Sequence, residues 1–377
     1  MKILFLTRQL GFGGAERQLV ELTKGLHKRG VTVTVATFYP NGALDSELEA
    51  MGVPLRHLGK SGRWDLLGFF IRLVKLLRRE TPDILHGYLP VANILAILFR
   101  WVVPRARIIW GVRASNMDPS RYDWLTRVIY RVEALLSGHA DLIIANSEAA
   151  AEYGRTKGFP KDRMVVIPNG IDTDRFRPDP EVGREVQAAW GINDNTRVVG
   201  LVGRLDPMKG HPVFLHAAAR LAPRQPDVQF ICVGDGPEDY QKTLWELTHQ
   251  LGLDSRLTWN GAQNDICSTL NAFDLLCSSS VFGEGFPNVV GEAMACGVPC
   301  VVADVGDSRR IVGDAGIVVE PDNPDALARG LEKMLGFLEE NPTSTKDIQK
   351  RARERILDNY GLDELIETTF KTLSRFQ

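Results

Sequence analysis

Glu284-Gly-Phe-Pro-Asn-Val-Val-Gly-Glu292 places two carboxylates eight residues apart around a Gly-Phe-Pro turn, and an apolar helical pattern runs on to Cys296. Pro287 suits the first position of that helix, where its missing N–H leaves no hydrogen bond unmade. The backbone amides that follow, with the helix dipole, form a site for an anion. One acid then stands in the loop ahead of the anion site, and the other lies two turns into the helix. That layout fits a nucleotide sugar, with the diphosphate at the helix start, one carboxylate on sugar hydroxyls and the other on ribose hydroxyls.

Outward from this stretch, β-branched apolar runs alternate with helical patterns along the whole chain. In the first half the strands read near 2–7, 31–38, 83–86, 107–112, 140–145 and 164–167, with helices near 14–29, 64–79, 90–102, 120–137 and 147–156. The second half repeats the plan. Strands fall near 197–202, 228–233, 256–259, 274–278, 299–302 and 316–319, and helices near 210–222, 237–251, 264–271, 287–296, 323–338, 347–359 and 363–376. Nearly continuous apolar strands separated by helices imply an α/β fold with parallel sheets covered on both faces. Pro168-Asn-Gly-Ile-Asp-Thr-Asp-Arg-Phe-Arg-Pro178 reads as the hinge between the halves.

The 377 residues, 44% of them hydrophobic and 24% charged, suit a soluble protein of two or three domains. The net charge of −2 conceals an asymmetry: residues 1–180 carry +8 and residues 181–377 carry −10. A basic first half points to an anionic partner, a phospholipid surface or a lipid phosphate acceptor, or else the opposite charges simply face each other across a cleft; nothing points to nucleic acid. The five cysteines complete no metal-ligand set and read as reduced thiols of a cytoplasmic protein. The apolar start is too short for a signal peptide, and no apolar run is long enough to span a bilayer. The basic, apolar helix at 63–79 suits either the face of a membrane, with the protein peripheral at the inner face of the cytoplasmic membrane, or a core-facing helix with a basic outer edge.

Two glycine-rich turns follow strands. Gly11-Phe-Gly13-Gly14-Ala-Glu16 follows the first, but Glu16 stands where a dinucleotide fingerprint needs a small residue, and Phe38-Tyr-Pro40 supplies no acid for a ribose. A nicotinamide enzyme is the poorest fit. Gly203-Arg-Leu-Asp-Pro-Met-Lys-Gly210 presents Arg204 and Lys209, which can neutralise a diphosphate and stabilise charge on a leaving phosphate.

The Glu284–Glu292 stretch with its continuation Ala293-Met-Ala-Cys-Gly-Val-Pro299 resembles the Glu-x7-Glu signature of the retaining glycosyltransferases of family 4. Gly203–Gly210 resembles the G-R-x4-K-G element of that family, Gly13-Gly-Ala-Glu16 its first loop, and Ile167-Pro-Asn-Gly-Ile-Asp172 its linker. The resemblance covers nearly the whole chain. It implies the GT-B architecture, with two Rossmann-like domains facing across a deep cleft and a C-terminal helix that crosses back. The domains would be an acceptor domain over 1–170, joined by 363–377, and a donor domain over 171–362.

The implied activity moves a sugar from a UDP- or GDP-sugar to an acceptor hydroxyl with retention, in polysaccharide or glycolipid assembly. Glu284 orients the sugar and Glu292 the ribose. Arg204 and Lys209 hold the diphosphate, beside Gly203, Gly285, Phe286, Pro287, Asn288 and Val289. Gly13 and Gly14 lie against donor and acceptor. Gly234 and the loop of Gln263 and Asp265 meet the base. Many relatives carry a catalytic His where this chain has Arg113, which cannot act as a base, so Arg113 would hold phosphate or an anionic acceptor. His86 and Asn116 are acceptor-side candidates. No Asp-x-Asp motif stands near the site, so no cofactor and no essential metal are expected. A nucleotide-sugar epimerase of related fold and a non-catalytic nucleotide-sugar binder remain as alternatives.

Overall fold

The computed structural model describes residues 1–62, 64–115, 124–193, 195–340 and 342–376. The chain divides into two compact units, Met1–Gly170 with Leu362–Gln377, and Ile171–Gly361.

The first unit is a seven-stranded parallel sheet of β1 (Lys2–Thr7), β2 (Thr32–Thr37), β3 (Leu55–His57), β4 (Ile84–Tyr88), β5 (Arg107–Val112), β6 (Leu142–Ala145) and β7 (Met164–Val166), in the order β3-β2-β1-β4-β5-β6-β7. Its helices are α1 (Gly14–Lys28), α2 (Asp45–Ala50), α3 (Leu67–Glu80), α4 (Pro90–Leu98), α5 (Trp124–Leu136) and α6 (Glu148–Thr156). Side chains alternate across the sheet. Ile3, Phe5, Val33 and Val35 pack on one face with Leu19, Leu22 and Leu26 of α1, while Leu4 and Leu6 pack on the other with Leu73, Leu77 and Leu95. Burial on both faces is why these strands read as unbroken apolar runs. The C-terminal helix, Leu362–Ser374, returns to this unit and buries Leu365, Ile366 and Leu373 beside α1, with an Arg29–Glu367 ion pair at its edge.

The second unit is a six-stranded parallel sheet of β8 (Arg197–Val202), β9 (Val228–Val233), β10 (Leu257–Trp259), β11 (Leu275–Ser278), β12 (Cys300–Ala303) and β13 (Gly316–Val319), in the order β10-β9-β8-β11-β12-β13. It carries α7 (Pro180–Ala189), α8 (His211–Leu221), α9 (Glu238–Gln250), α10 (Ile266–Asn271), α11 (Asn288–Ala295), α12 (Ser308–Val312), α13 (Pro324–Glu340) and α14 (Pro342–Asn359). Val199, Leu201 and Phe230 face α8 and α13, while Val198, Ile231 and Leu276 face α11 and α14.

The structure differs from the sequence reading at several ends. β3, α2, α7 and α12 are additional elements. Pro342 opens α14 five residues before the expected start, and the 90–102 helix breaks after Leu98 into a 3₁₀ turn at Arg100–Val102. Helix α11 begins at Asn288, so Pro287 (φ −73°, ψ 91°) is the residue before the helix rather than its first. Glu292 is then the fifth helical residue, about one turn in rather than two.

Candidate functional site

In the second sheet the strand order reverses between β8 and β11. Ligands of open parallel sheets bind at such a switch point, outside the carboxyl ends of the strands. The loops that leave β8 and β11 carry Lys209 and Glu284. Lys209 Nζ donates to Glu284 Oε1 at 2.5 Å, and Ser280 Oγ donates to the same oxygen at 2.8 Å. Glu284 is 7% exposed, and the Lys209 side chain 20%.

Local backbone chemistry fixes this meeting. Asp206 caps the 3₁₀ turn Pro207–Lys209 by accepting from Met208 N at 2.9 Å. Gly210 closes the turn at φ +65°, where a Cβ would stand 2.1 Å from Ser279 O, so only glycine fits. Ser279 Oγ donates to Lys209 O at 2.9 Å, and Val281 N donates to Met208 O at 2.8 Å, which stitches the two loops together. On the far side of Glu284, Asp307 N donates to Gly285 O at 2.9 Å, and Phe286 sits edge-on to Tyr360 with centroids 5.4 Å apart. Gly285, Phe286 and Pro287 are buried, while Asn288, Val289 and Glu292 are half-buried.

Not every expected residue converges on this pair. Arg204 lies in the same loop, but its side chain is 67% exposed and its Nη2 donates to Asp206 Oδ2 at 2.8 Å. Gly203 and Gly234 lie backbone to backbone, since a Cβ on Gly234 would come within 1.9 Å of Gly203 O. Asp265 caps α10, accepting from Ser268 N at 3.1 Å and Ser268 Oγ at 2.6 Å, and the Ser268 hydroxyl is the first cause that holds its carboxyl below the usual range. Gln263 is exposed and donates to Asn260 O at 2.7 Å.

In the first sheet the reversal falls between β1 and β4. Gly13 and Gly14 open α1 there, and the Glu16 carboxylate folds back over Gly13, with Oε2 2.0 Å from where a Cβ would be. His86 does not end β4; it lies inside it, paired in register with Phe5. It is fully buried against the Phe5 ring at 5.0 Å, and its Nδ1 is 2.9 Å from Gly87 O. Burial, helped by the nearby Arg113 charge, pushes its pKa down to about 3, so the imidazole is neutral. Arg113 follows β5, with its guanidinium 4.2 Å above the Tyr88 ring. That stacking gives the guanidinium an aromatic partner; among the described residues the enclosed Arg113 Nε has no hydrogen-bond partner. Leu89, just past β4, holds φ +79°, a strained conformation for a leucine. Asn116 lies outside the described residues.

The sequence reading missed a buried network beside Arg113. Asn93 Nδ2 donates to Gly111 O at 3.1 Å and to Glu133 Oε1 at 2.8 Å, while Gly111 N donates back to Asn93 Oδ1 at 3.3 Å. Burial pushes the Glu133 carboxyl up to about 7, against the Asn93 hydrogen bond, which lowers it. Glu133 forms part of the wall of a cavity of about 900 Å³ together with Arg113, Arg127, Tyr130, Arg131 and Lys157. A signal existed: Asn93 interrupts an otherwise apolar helix, Pro90-Val-Ala-Asn-Ile-Leu-Ala-Ile-Leu98. Among the described residues no group of three or more His, Cys, Asp or Glu could hold a metal ion. In the linker, Asp172 turns onto its own backbone and accepts from the amides of Asp174 and Arg175.

Residues 12–175 match Glycosyltransferase Family 4, and residues 196–336 match Glycosyl transferases group 1. The chain is 30% identical to a phosphatidyl-myo-inositol mannosyltransferase of Mycolicibacterium smegmatis, over 91% of this chain and 86% of that protein. It is 26% identical to the UDP-Gal:alpha-D-GlcNAc-diphosphoundecaprenol alpha-1,3-galactosyltransferase of Escherichia coli, over 72% of each. Among solved structures, Anabaena Alr3699/HepE in complex with UDP and glucose superposes with a TM-score of 0.87 at 26% identity, covering 99% of both chains. The two doubly wound units define a two-domain α/β protein of the GT-B fold, and the reactions of that class transfer glycosyl groups. This chain belongs to glycosyltransferase family 4.

Proposed function

We propose that the protein is a retaining hexosyltransferase that moves a sugar from a UDP-sugar, or failing that a GDP-sugar, to an acceptor hydroxyl in glycolipid or polysaccharide assembly. The observation that carries this reading is the Lys209–Glu284 pair at the switch point of the second sheet. In the structure each charge serves as counterion to the other. A bound donor offers Lys209 a diphosphate instead, which frees Glu284 to accept from sugar hydroxyls. Arg204, exposed on the same loop, can swing from Asp206 to the diphosphate. The UDP bound by the Anabaena protein favours UDP as the base carrier.

In the transfer step the bond from the anomeric carbon to the departing phosphate oxygen breaks, and the bond to the acceptor oxygen forms on the same face. The acceptor proton passes to the departing phosphate oxygen. Lys209 and Arg204 stabilise the charge that builds on that phosphate, so this chain's own cations serve where a divalent metal would otherwise be needed. No side chain has to act as base, which accords with arginine at position 113.

The acceptor side of this reading is the first unit. Trp64 (86% exposed), Leu67 and Ile71 present apolar surface, as does Trp101 at 64%, on segments that also carry Arg72, Lys75, Arg78, Arg79 and Arg100. Apolar rings amid arginines suit an anionic bilayer surface, where a lipid-linked acceptor would be found. Arg63 lies outside the described residues. Among those described, no helix is long and apolar enough to cross a membrane.

The test is turnover. Purified protein is given UDP-glucose, UDP-galactose, UDP-N-acetylglucosamine or GDP-mannose, in EDTA, with anionic vesicles carrying phosphatidylinositol or a polyprenyl diphosphate sugar. Release of UDP or GDP with an α-linked product supports the proposal. Sugar inversion at a ring carbon without acceptor glycosylation would mark an epimerase, and nucleotide binding without any turnover a binding protein.

A further inference from the structure

Helix α5, Trp124–Leu136, is apolar over most of its length, yet Glu133 is its one buried residue. Trp124, Val128 and Leu135 are exposed, Leu135 at 79%. A helix of this composition ordinarily has its apolar residues covered. Here its inner stripe faces a void. Arg127, Tyr130, Arg131 and Ala134, spaced as neighbours on one side of the helix, line the cavity of about 900 Å³ beside Arg113. Helix α6 and the turn after it line the same cavity through Tyr153, Lys157 and Phe159.

The cavity is long, apolar inside and basic at its mouth. It runs along one face of the first sheet, from Val112 and Arg113 at the carboxyl end of β5 toward the amino ends, where Lys157-Gly-Phe159 leads toward β7. Leu89, Pro90, Val112, Ala134 and Phe159 make its wall apolar. Arg127, Arg131 and Lys157 are exposed, so their charge stands at the opening. Among the described residues none of these three has an acidic partner, whereas neighbouring Arg155 is paired with Glu152. The carboxyl in the wall, Glu133, is bonded to Asn93, and burial favours its neutral form, so it cancels little of this charge.

The surface around the opening continues the pattern. Among the described residues, every exposed large apolar side chain of the first unit except Phe12 lies on α3, α4, α5 or the segments next to them, including Leu67, Ile71, Val91, Leu98 and Trp101. These helices cover one face of the sheet, and α1, α2 and the C-terminal helix on the other face carry none. A ligand that fits therefore has a hydrocarbon chain for the wall and an anionic head for the mouth, and it arrives from an apolar surface. A free sugar would leave the wall unfilled, and a fatty alcohol would leave the cations without a counterion. Several cations around one opening match the charge and the many acceptor oxygens of a phosphate. The volume lies within the range of small-molecule sites.

We propose that the cavity between α5 and α6 is a binding site for a lipid phosphate of the bilayer, with the phosphate held by Arg127, Arg131 and Lys157 and the hydrocarbon chain laid along β5. The inference goes beyond the donor chemistry proposed above and does not rest on turnover.

The experiment titrates the full chain by calorimetry with decyl phosphate below the concentration at which it aggregates, and with decanol and methyl phosphate as its two halves. Decyl phosphate should saturate one site, and each half should bind at least about tenfold more weakly. Arg127→Gln combined with Arg131→Gln should weaken decyl phosphate by about tenfold or more and leave decanol unchanged. Ala134→Phe, which fills the cavity, should weaken both. If a variant fails to fold, the unmutated chain decides: decyl phosphate with a diazirine at its tail should label peptides that hold residues 130–135 or 153–159. Absence of saturable binding, decanol binding as tightly as decyl phosphate, affinity untouched in both folded variants, or labelling confined to residues 64–71 would each overturn the proposal. No donor sugar is present, so a chain that binds decyl phosphate and transfers no sugar would keep this site and lose the proposed function.

Discussion

Lys209 and Glu284, 75 residues apart in sequence, meet at 2.5 Å where the order of the second sheet reverses, and Ser280 Oγ closes on the same carboxylate oxygen. Two charges so enclosed would cost more than they return unless each compensates the other. In the proposed function the pair trades one partner for the other when the donor diphosphate arrives.

Glu284→Gln keeps the side-chain shape and an oxygen for Ser280 but leaves Lys209 without a counterion. UDP or GDP should bind at least as tightly, because the lysine charge is released toward the diphosphate. Turnover should fall by about 100-fold or more, the usual scale for loss of one group that acts in the transition state. Calorimetric titration of nucleotide alongside initial rates checks both halves. Near-normal turnover would remove Glu284 from the mechanism.

Lys209→Met keeps the aliphatic stem and deletes the charge that meets the buried Glu284 carboxylate at 2.5 Å. About 3 kcal/mol of stability should be lost, the lower end for a broken buried pair. Nucleotide affinity and kcat should both fall. In the double variant with Glu284→Gln, stability should largely return while activity does not, and urea denaturation of the four proteins measures the coupling.

Gly210→Ala tests whether the loops after β8 and β11 must touch. Its φ of +65° and the 2.1 Å approach of Ser279 O leave no room for a methyl group. The variant should lose roughly 1–3 kcal/mol and bind nucleotide more weakly, because the turn that delivers Lys209 must shift. Unchanged melting and unchanged UDP affinity would show that the two loops are free to separate.

The parallel sheets were legible because strands buried on both faces read as apolar runs, and the loops that carry Lys209 and Glu284 because they follow such strands. What escaped the sequence was tertiary. β3 is three residues at a sheet edge, too short to show a period. In α7 the capping signal is present, as Asp179 accepts from Val182 N, but Gly183 is its only buried residue, so no apolar stripe announces it. The G-R-x4-K-G spacing placed Arg204 and Lys209 on one loop without telling that Asp206 draws the arginine outward. The Asn93–Glu133 bond joins residues 40 apart on different helices, and only the fold brings them together.

Glu133 gives the protein a pH dependence of defined sign. Its carboxyl is pushed up from 4.5 to about 7 by burial. Between those values the folded chain keeps a proton that the unfolded chain releases. The contribution of Glu133 is therefore fully present below about pH 4.5 and lost as pH rises through 7. His86, pushed down to about 3, and His211, pushed down to about 4, both by burial first, act in the other direction. Their contribution is present above pH 6.5 and lost as pH falls toward those values. The unmutated protein mixes these trends, so the difference from Glu133→Gln is the informative quantity. Glutamine still offers Asn93 an oxygen and cannot ionise. Apart from a constant offset, the variant should gain on the parent as pH rises from 5 to 8.5, by roughly 3 kcal/mol in all at the usual 1.36 kcal/mol per unit. Urea midpoints across that range measure the gain, and a flat difference would mean that Glu133 ionises in the fold as readily as in the unfolded chain.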